Sequence, residues 1–254
     1  MRTQLEAAGV PTKGLEIRCY GDDACVQILS LDHAAKQAPD WKTFARRAAE
    51  ARAVFAGYRA AVDSIERIES AEAGKENLSP RLHAASLTDE AYRSLLAGDE
   101  AFARLPLSVG GRSVFRAWAA VEASRRDHRN AAFLKQYVDA KGWPRRAVVG
   151  AQSAGEAWLI VQHADDDPLF QFQALRLMEP LVATHEVDGA DYAYLYDRVA
   201  VATSGLQRYG TQLECDGHKI SPSAQEDPLR TDALRGAIGL EPLAAYLAEM
   251  KSQC

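Results

Sequence analysis

The stretch DWKTFARRAAEARAVFAGYRAAVDSI, residues 40–65, indicates the fold class more directly than any other part of the chain. Its aromatic, aliphatic and alanine side chains recur at alternating spacings of three and four residues, which places them along one face of a long α-helix. Asp40 stands directly before this pattern and is a candidate N-cap. A stripe of only about four heptads that contains several aromatic rings predicts a helix packed within a bundle. The stripe comprises Trp41, Phe44, Ala48, Ala51, Phe55, Tyr58, Val62 and Ile65.

The composition of the whole chain agrees with a helical protein. Of its 254 residues 46 are alanine, the best helix former, whereas glycine and proline together number 27. No strand pattern of useful length and no internal repeat is present. We therefore expect an all-α fold, a multi-helix bundle with an irregular loop region near residues 204–230.

Charge and hydropathy exclude several classes of protein. The chain carries 30 basic and 35 acidic residues, a net charge of -5, which argues against nucleic-acid binding because that affinity comes from clustered Lys and Arg. No apolar stretch approaches the roughly 20 residues of a membrane helix, and the chain as given opens with no apolar signal segment. We predict no membrane span and no nucleic-acid partner, and the oligomeric state stays open.

The four cysteines leave the compartment open. Cys19 and Cys25 bracket a turn-forming loop that could close a small disulfide, which would indicate a periplasmic or secreted protein after signal removal. Two free thiols in a cytoplasmic protein are the other reading. There is no Cys-x-x-Cys or Cys/His cluster of the kind that binds structural zinc, and we predict no cofactor.

Turn residues divide the chain into two regions. Pro106 and the pair Gly110-Gly111 break the helical pattern, so we expect an N-terminal helical region at residues 1–112 and a helical domain at residues 113–254. Thr88 is a candidate N-cap of a short helix in the first region. In the second region a long helix at residues 113–141 should stop at Gly142. Asp167 and Asp188 are candidate N-caps of later helices.

The first candidate site residues lie around His163. Ser153 and Glu156 form a capping-box pattern that predicts a helix start at Ala154, and Glu156 and His163 then share a helix face two turns apart. Near a helix C-terminus the dipole favours the cationic imidazole, so His163 is a candidate general acid or base, oriented by Glu156 or Asp165. In the structural alternative, His163 only caps its own helix.

The run Asp165-Asp166-Asp167 does not predict a metal site. Asp167 is explained by capping, Asp166 is expected to point to solvent, and no second carboxylate cluster accompanies them. Asp127 and Asn130 lie on the apolar face of the long helix, where they could bind substrate or form a buried hydrogen-bonded pair between helices.

Asp197 and Arg198 are candidate substrate-binding residues, together with the loop that follows them. Asp197 should be buried and paired, and the guanidinium of Arg198 could hold a carboxylate or phosphate. An ion pair of Arg198 with Asp165, Glu156 or Asp127 is the structural alternative. Loops on rigid scaffolds often carry binding groups, and this loop contributes Gln207, Tyr209 and Gln212.

An ordered set of short motifs resembles a bacterial family of helical proteins known only as a domain of unknown function. The resemblance covers about residues 113–254, and it implies an α-helical fold with a shared site around His163, Asp165, Asp197, Arg198 and the Tyr-Gly-Thr-Gln loop. It implies no reaction. The chain departs from the family pattern at Thr203-Ser-Gly205 and Leu206. The motifs are Asp127-His-Arg-Asn130, Gly142-Trp-Pro144, Ala157-Trp-Leu, Gln162-His-Ala-Asp165, Tyr194-Leu-Tyr-Asp-Arg198, Gln207-Arg-Tyr-Gly-Thr-Gln212 and Gly239-Leu-Glu-Pro-Leu.

Two functional hypotheses follow. In the first, the protein is a hydrolase- or lyase-type enzyme that uses His163 as general acid or base on a small polar or anionic substrate. In the second, it is a non-catalytic helical module for a small-molecule or peptide ligand, whose polar motifs form a structural hydrogen-bond network. No dinucleotide or phosphate-binding glycine motif supports redox chemistry.

Overall fold

The computed structural model describes residues 23–71, 77–97, 100–217 and 219–251. Over these ranges the all-α prediction is confirmed, with one small antiparallel hairpin added. No helix within them is both long enough and apolar enough to cross a bilayer. The helices are α1 (Asp23–Lys36), α2 (Trp41–Glu69), α3 (Ser79–Ala97), α4 (Glu100–Ala103), α5 (Val109–Lys141), α6 (Arg146–Gln162), α7 (Pro168–Val182), α8 (Gly189–Ser204), α9 (Thr231–Ala237) and α10 (Leu243–Met250), and the strands are β1 (Leu213–Asp216) and β2 (Lys219–Pro222).

Several predicted helix ends are confirmed by their hydrogen bonds. Asp40 accepts a bond from the Thr43 amide at 2.7 Å, and Asp167 accepts one from the Phe170 amide at 3.0 Å. Asp188 caps α8 in the same way. Gly142 ends α5 with a φ of 79°, a conformation that glycine adopts without a steric penalty.

Three predicted helix starts were wrong. The long helix α5 begins at Val109, with Ser108 as its N-cap, rather than at residue 113, so Gly110 and Gly111 lie inside the helix and do not break it. Ser153 lies buried inside α6, because the chain breaks earlier, at Gly150, whose φ of 83° and ψ of 161° are not helical. The carboxylate of Glu156 therefore does not complete a capping box. Thr88 lies inside α3, where its hydroxyl donates to the Ala84 carbonyl at 2.9 Å rather than capping a new helix.

The hairpin lies in the region predicted to be irregular. Its strands pair from Leu213 with Pro222 to Asp216 with Lys219. Cys215, in β1, is disulfide-bonded. The Cys19–Cys25 pair, for which the sequence left a disulfide and two free thiols open, lies outside the residues and side chains that the structure describes.

Two apolar clusters form the core, and helices α3 and α5 contribute to both. The first cluster, which we call the N-terminal cluster, includes Tyr92 of α3 and Ala123 of α5. The second, the C-terminal cluster, includes Ala85 of α3 and Ala131 of α5. Each helix thus passes from one cluster to the other within two turns, between residues 85 and 92 and between residues 123 and 131.

The apolar stripe of α2 packs into the N-terminal cluster over most of its length. Ala51 and Val62 are buried in that cluster, and Phe55 and Tyr58 pack against it. The stripe is not buried at its two ends, since Trp41 is 76% and Ile65 40% exposed. The expected bundle packing therefore holds for the middle of α2 and fails at the first and last residues of the stripe.

Candidate functional site

The polar residues between the two clusters form the candidate site. His163 follows the last residue of α6 and serves as its C-cap. Its side chain is only 12% exposed, and its Nδ1 lies 2.9 Å from Oδ2 of Asp89, a buried residue of α3. Nδ1 is shielded from solvent, and the angle to Asp89 is too oblique for a regular hydrogen bond. The predicted orienting residue, Glu156, lies elsewhere, with its Oε1 2.7 Å from Nδ1 of His83.

A single arginine joins two carboxylates beside His163. Arg93 Nε donates to Oδ1 of Asp89 at 2.8 Å, and Arg93 Nη2 donates to Oδ1 of Asp127 at 2.9 Å. Burial raises the pKa of Asp127 to about 7, and the negative charge of Asp89 adds to this rise. Burial also acts on Asp89, but His163 and Arg93 outweigh it and hold the pKa of Asp89 below its ordinary value. Asp127 is thus the carboxyl of the pair that keeps a proton near neutral pH.

Arg93, Asp127 and His163 line a cavity of about 180 Å³, which we call the central cavity, and Asp89 lies behind His163. The lining also includes His128, whose Nε2 lies 2.6 Å from Oδ2 of Asp166. The prediction that Asp166 points to solvent was wrong, because its side chain pairs with His128. The lining residues are Arg93, Leu96, Ala120, Ala123, Ser124, Asp127, His128, His163, Asp165 and Asp166.

Arg198 reaches this region through Asp165. Its Nε donates to Oδ1 of Asp165 at 2.8 Å, and Gln171 Nε2 donates to the same oxygen at 3.2 Å. Burial raises the pKa of Asp165, but the bonds from Arg198 outweigh this and hold it below the ordinary value. The guanidinium of Arg198 is thus bonded to Asp165. This ion pair is one of the structural alternatives that the sequence predicted for Arg198.

Three residues of this site could hold a metal ion. Asp89, Asp127 and His163 each offer one ligand atom, and these atoms lie within 4.8 Å of one another. They are the only such group of three among the residues the structure describes. Two carboxylates and an imidazole form a ligand set that suits zinc and other divalent transition metals.

A second polar group forms around Asp197 and does not line the central cavity. Asp197 is fully buried, and its carboxylate accepts bonds from the amides of Arg208, Tyr209 and Thr211 at 2.8, 3.0 and 2.9 Å. The hydroxyl of Thr211 donates to it as well. Asp197 is buried and paired, as predicted, and its partners are the donors of the following loop.

The remaining loop residues bond to one another. Gln207 Nε2 donates to the carbonyls of Gln212 and Ser223 at 2.9 and 2.8 Å, and its Oε1 accepts the Gln212 amide at 2.9 Å. Tyr209 is buried in the C-terminal cluster. These contacts fix the shape of the loop.

The structure therefore divides the predicted site residues into two groups. His163, Asp165 and Asp127 meet at the central cavity, and Asn130 lines a small adjoining space together with Asp89. Arg198 lies behind Asp165, whereas Glu156 and the group around Asp197 lie apart from the cavity. This second set comprises Asp197, Gln207, Tyr209 and Gln212.

Sequence reasoning missed Asp89, Arg93 and His128. The first two are spaced four residues apart on one helix, as in an ion pair, and Asp89 lies near the apolar stripe that includes Tyr92. An acidic residue on such a stripe needs a buried partner. The position of Asp89 in the sequence was therefore a detectable sign of a buried polar contact. His128 belongs to the motif Asp127-His-Arg-Asn130, but nothing in its spacing indicates that its ring faces Asp166.

Comparison with known proteins identifies a family without a known activity. A model of a family of unknown function, DUF6624, matches residues 110–253. No curated protein and no solved structure matches the chain significantly. The match contains Asp127 and His163, whereas Asp89 and Arg93 precede it. The match covers more than half of the sequence, so the chain belongs to the family of unknown function DUF6624.

Proposed function

We propose that the protein is a hydrolase-type enzyme whose general base is His163. The observation that supports this most directly is the pairing of His163 with the buried Asp89 at 2.9 Å, on the wall of the central cavity. An imidazole held by a carboxylate on one nitrogen can use the other to remove a proton from a water molecule. Hydrolysis fits an open polar cavity because its second reactant is water.

Each ring nitrogen of His163 has a different role in this proposal. Nδ1 faces Asp89, whose carboxylate stabilises the imidazolium that forms when the base accepts a proton. Nε2 has no hydrogen-bond partner in the described part of the chain and is the nitrogen that takes the proton. The oblique angle at Nδ1 is compatible with this role, since catalytic hydrogen bonds often tighten only when substrate binds. Asp89 is a positioning residue.

The size and charge of the central cavity restrict the substrate. A volume of about 180 Å³ accommodates a small acyl group. Arg93 and Arg198 are already bonded to carboxylates, and Asp127, Asp165 and Asp166 add acidic groups to the wall. An anion would meet no free guanidinium there. We therefore propose a small polar substrate that is uncharged or positively charged, and not the anion that the sequence left open.

The test uses small chromogenic substrates. The full chain is assayed with p-nitrophenyl acetate, p-nitrophenyl phosphate and alanine p-nitroanilide, in wild type and in His163→Asn. We expect turnover of the acetate or the anilide but not of the phosphate, and a loss of about 10²–10⁴-fold in kcat in H163N, the usual contribution of a general base.

An exposed acidic residue provides the matched control. Asp139→Asn should leave kcat unchanged, because Asp139 is exposed and asparagine keeps the oxygen that accepts the bond from Gln173. Asp89→Asn should lower kcat more than it changes KM, because Asp89 acts through His163. Failure to hydrolyse the acetate and the anilide, or equal rates in wild type and H163N, would contradict the proposal.

The competing function is a non-catalytic module. It is favoured by predicted binding residues whose side chains form hydrogen bonds only within the protein. The side chains of Asp197, Gln207 and Arg198 are bonded within the protein and offer little to a ligand. In that case H163N and Arg198→Ala would both lower the melting temperature, and no substrate would be hydrolysed. Under our proposal H163N also removes the hydrolysis that wild type performs, which a purely structural role of His163 would not predict.

A further inference from the structure

We infer that Asp89, Asp127 and His163 reversibly bind a divalent transition-metal ion of the zinc type, and that the bound ion inhibits the enzyme. The inference concerns the regulation of the same site and rests on the proposed function for its inhibitory part. The binding part stands on the geometry of the three side chains alone.

The ligand atoms come from helices α3 and α5 and from the residue that caps α6, and they converge on one point. One oxygen of Asp89, one oxygen of Asp127 and one ring nitrogen of His163 lie within 4.8 Å of one another. Zinc takes carboxylate oxygen and imidazole nitrogen at about 2.0–2.2 Å, so small side-chain rotations would bring all three into its coordination sphere. The adjoining central cavity leaves room for water as a further ligand.

The weak bonding of one ring nitrogen supports a ligand role for His163. Its Nδ1 is shielded from solvent and lies 2.9 Å from Asp89, but this contact does not have the geometry of a regular hydrogen bond. Coordination to a metal ion would satisfy this buried nitrogen more fully than the contact with Asp89 does. It also selects the type of ion, because imidazole suits zinc rather than magnesium.

The charges around the cluster favour a cation but limit its affinity. Two carboxylates, Asp89 and Asp127, share the single guanidinium of Arg93. The neighbouring acids Asp165 and Asp166 are paired with Arg198 and His128. They therefore do not compete with the three ligands for the ion. Arg93 can stay bonded to the outer lone pairs of both carboxylates. Its positive charge repels the ion, which is why we expect binding to be reversible.

Inhibition follows from the chemistry of the imidazole ring. When the ion takes the lone pair of Nδ1, the neutral ring carries its proton on Nε2. Nε2 is then a donor and has no lone pair with which to accept a proton from water. The ion therefore removes the general base without displacing any side chain from the cavity.

Binding is measured first, without reference to activity. Chelator-treated full chain is titrated with Zn²⁺ by isothermal calorimetry, and Mg²⁺ is titrated in parallel. We expect one Zn²⁺ per chain and no comparable binding of Mg²⁺. Asp127→Asn and H163N should each bind at least about tenfold more weakly. The controls are D139N and His33→Ala, an exposed acid and an exposed histidine, and both should bind like wild type.

Inhibition is then measured with the chromogenic substrate that wild type hydrolyses. Zn²⁺ should lower its rate over the concentration range in which it binds, and a chelator should restore the rate. The inference is overturned if no Zn²⁺ binds, if D127N and H163N bind it like wild type, or if the chelator abolishes activity. Its failure is distinguishable from failure of the proposed function, since H163N reports on the base in metal-free buffer.

Discussion

Replacing Asp197 by asparagine should destabilise the protein strongly, although the change removes no bulk. Oδ1 of Asp197 accepts the amides of Arg208 and Tyr209, and Oδ2 accepts the amide and hydroxyl of Thr211. Asparagine keeps one oxygen, and its NH₂ group would face donors in place of the other. Two bonds to a charged acceptor are lost, at about 1.5–3 kcal/mol each, so we expect a loss of about 3–6 kcal/mol.

The measurement is urea unfolding of wild type and Asp197→Asn, followed by far-ultraviolet circular dichroism. The exposed Asp139→Asn is the control and should change the free energy of unfolding by less than about 0.5 kcal/mol. A loss below about 1 kcal/mol in D197N would refute the reasoning. A stable D197N that had lost activity would instead restore Asp197 to the substrate-binding role that the sequence suggested.

Four further substitutions test the electrostatics and the packing. Burial raises the pKa of Asp191 to about 7, so its protonated form stabilises the fold at low pH and this stability is lost as pH rises from about 4 to 7. Asp191→Asn should therefore match wild type near pH 4 and exceed it at pH 8 by up to about 4 kcal/mol in urea unfolding. Gly189→Ala should cost about 1–3 kcal/mol, because its Cβ would lie 2.0 Å from the Ile238 carbonyl oxygen, whereas Gly155→Ala, in open space, should raise the melting temperature. Arg126→Met should lower stability by about 3 kcal/mol in the same assay, because Arg126 is 1% exposed and its loss removes the cation 3.8 Å from the carboxylate of Glu122, which is only 9% exposed.

The sequence predicted the ends of the helices better than it predicted the side-chain contacts between them. Helix ends are local, since Asp40 and Gly142 are recognisable from their immediate neighbours. The pairing of His163 with Asp89 joins residues 74 positions apart, and periodicity gives the face of a helix but not what packs on it. Glu156 was chosen as the orienting residue because it is two turns away on the same helix, but α3 supplies a closer carboxylate.

The errors also have local physical causes. The capping box at Ser153 matched its pattern, but Gly150 could leave the helical conformation at less cost, so the helix began earlier. The hairpin at residues 213–222 was missed because its strands are only four residues long, so the alternation of apolar and polar side chains in Leu213–Asp216 and Lys219–Pro222 is too short to stand out from a loop. The resemblance correctly implied the helical fold. It could not indicate Asp89 or Arg93, which lie before the matched region.

Helix α5 has a consequence for amide hydrogen exchange. Its 33 residues span about 50 Å at 1.5 Å per residue, and its two halves belong to the two different apolar clusters. Neither cluster can open without exposing part of the same helix. The amides near Asp127, at the crossing between the clusters, should therefore exchange with deuterium only when the whole chain unfolds, and they should be among the slowest in the protein. On this expectation, the Asp127 side of the candidate site stands on a segment of α5 that opens only with global unfolding.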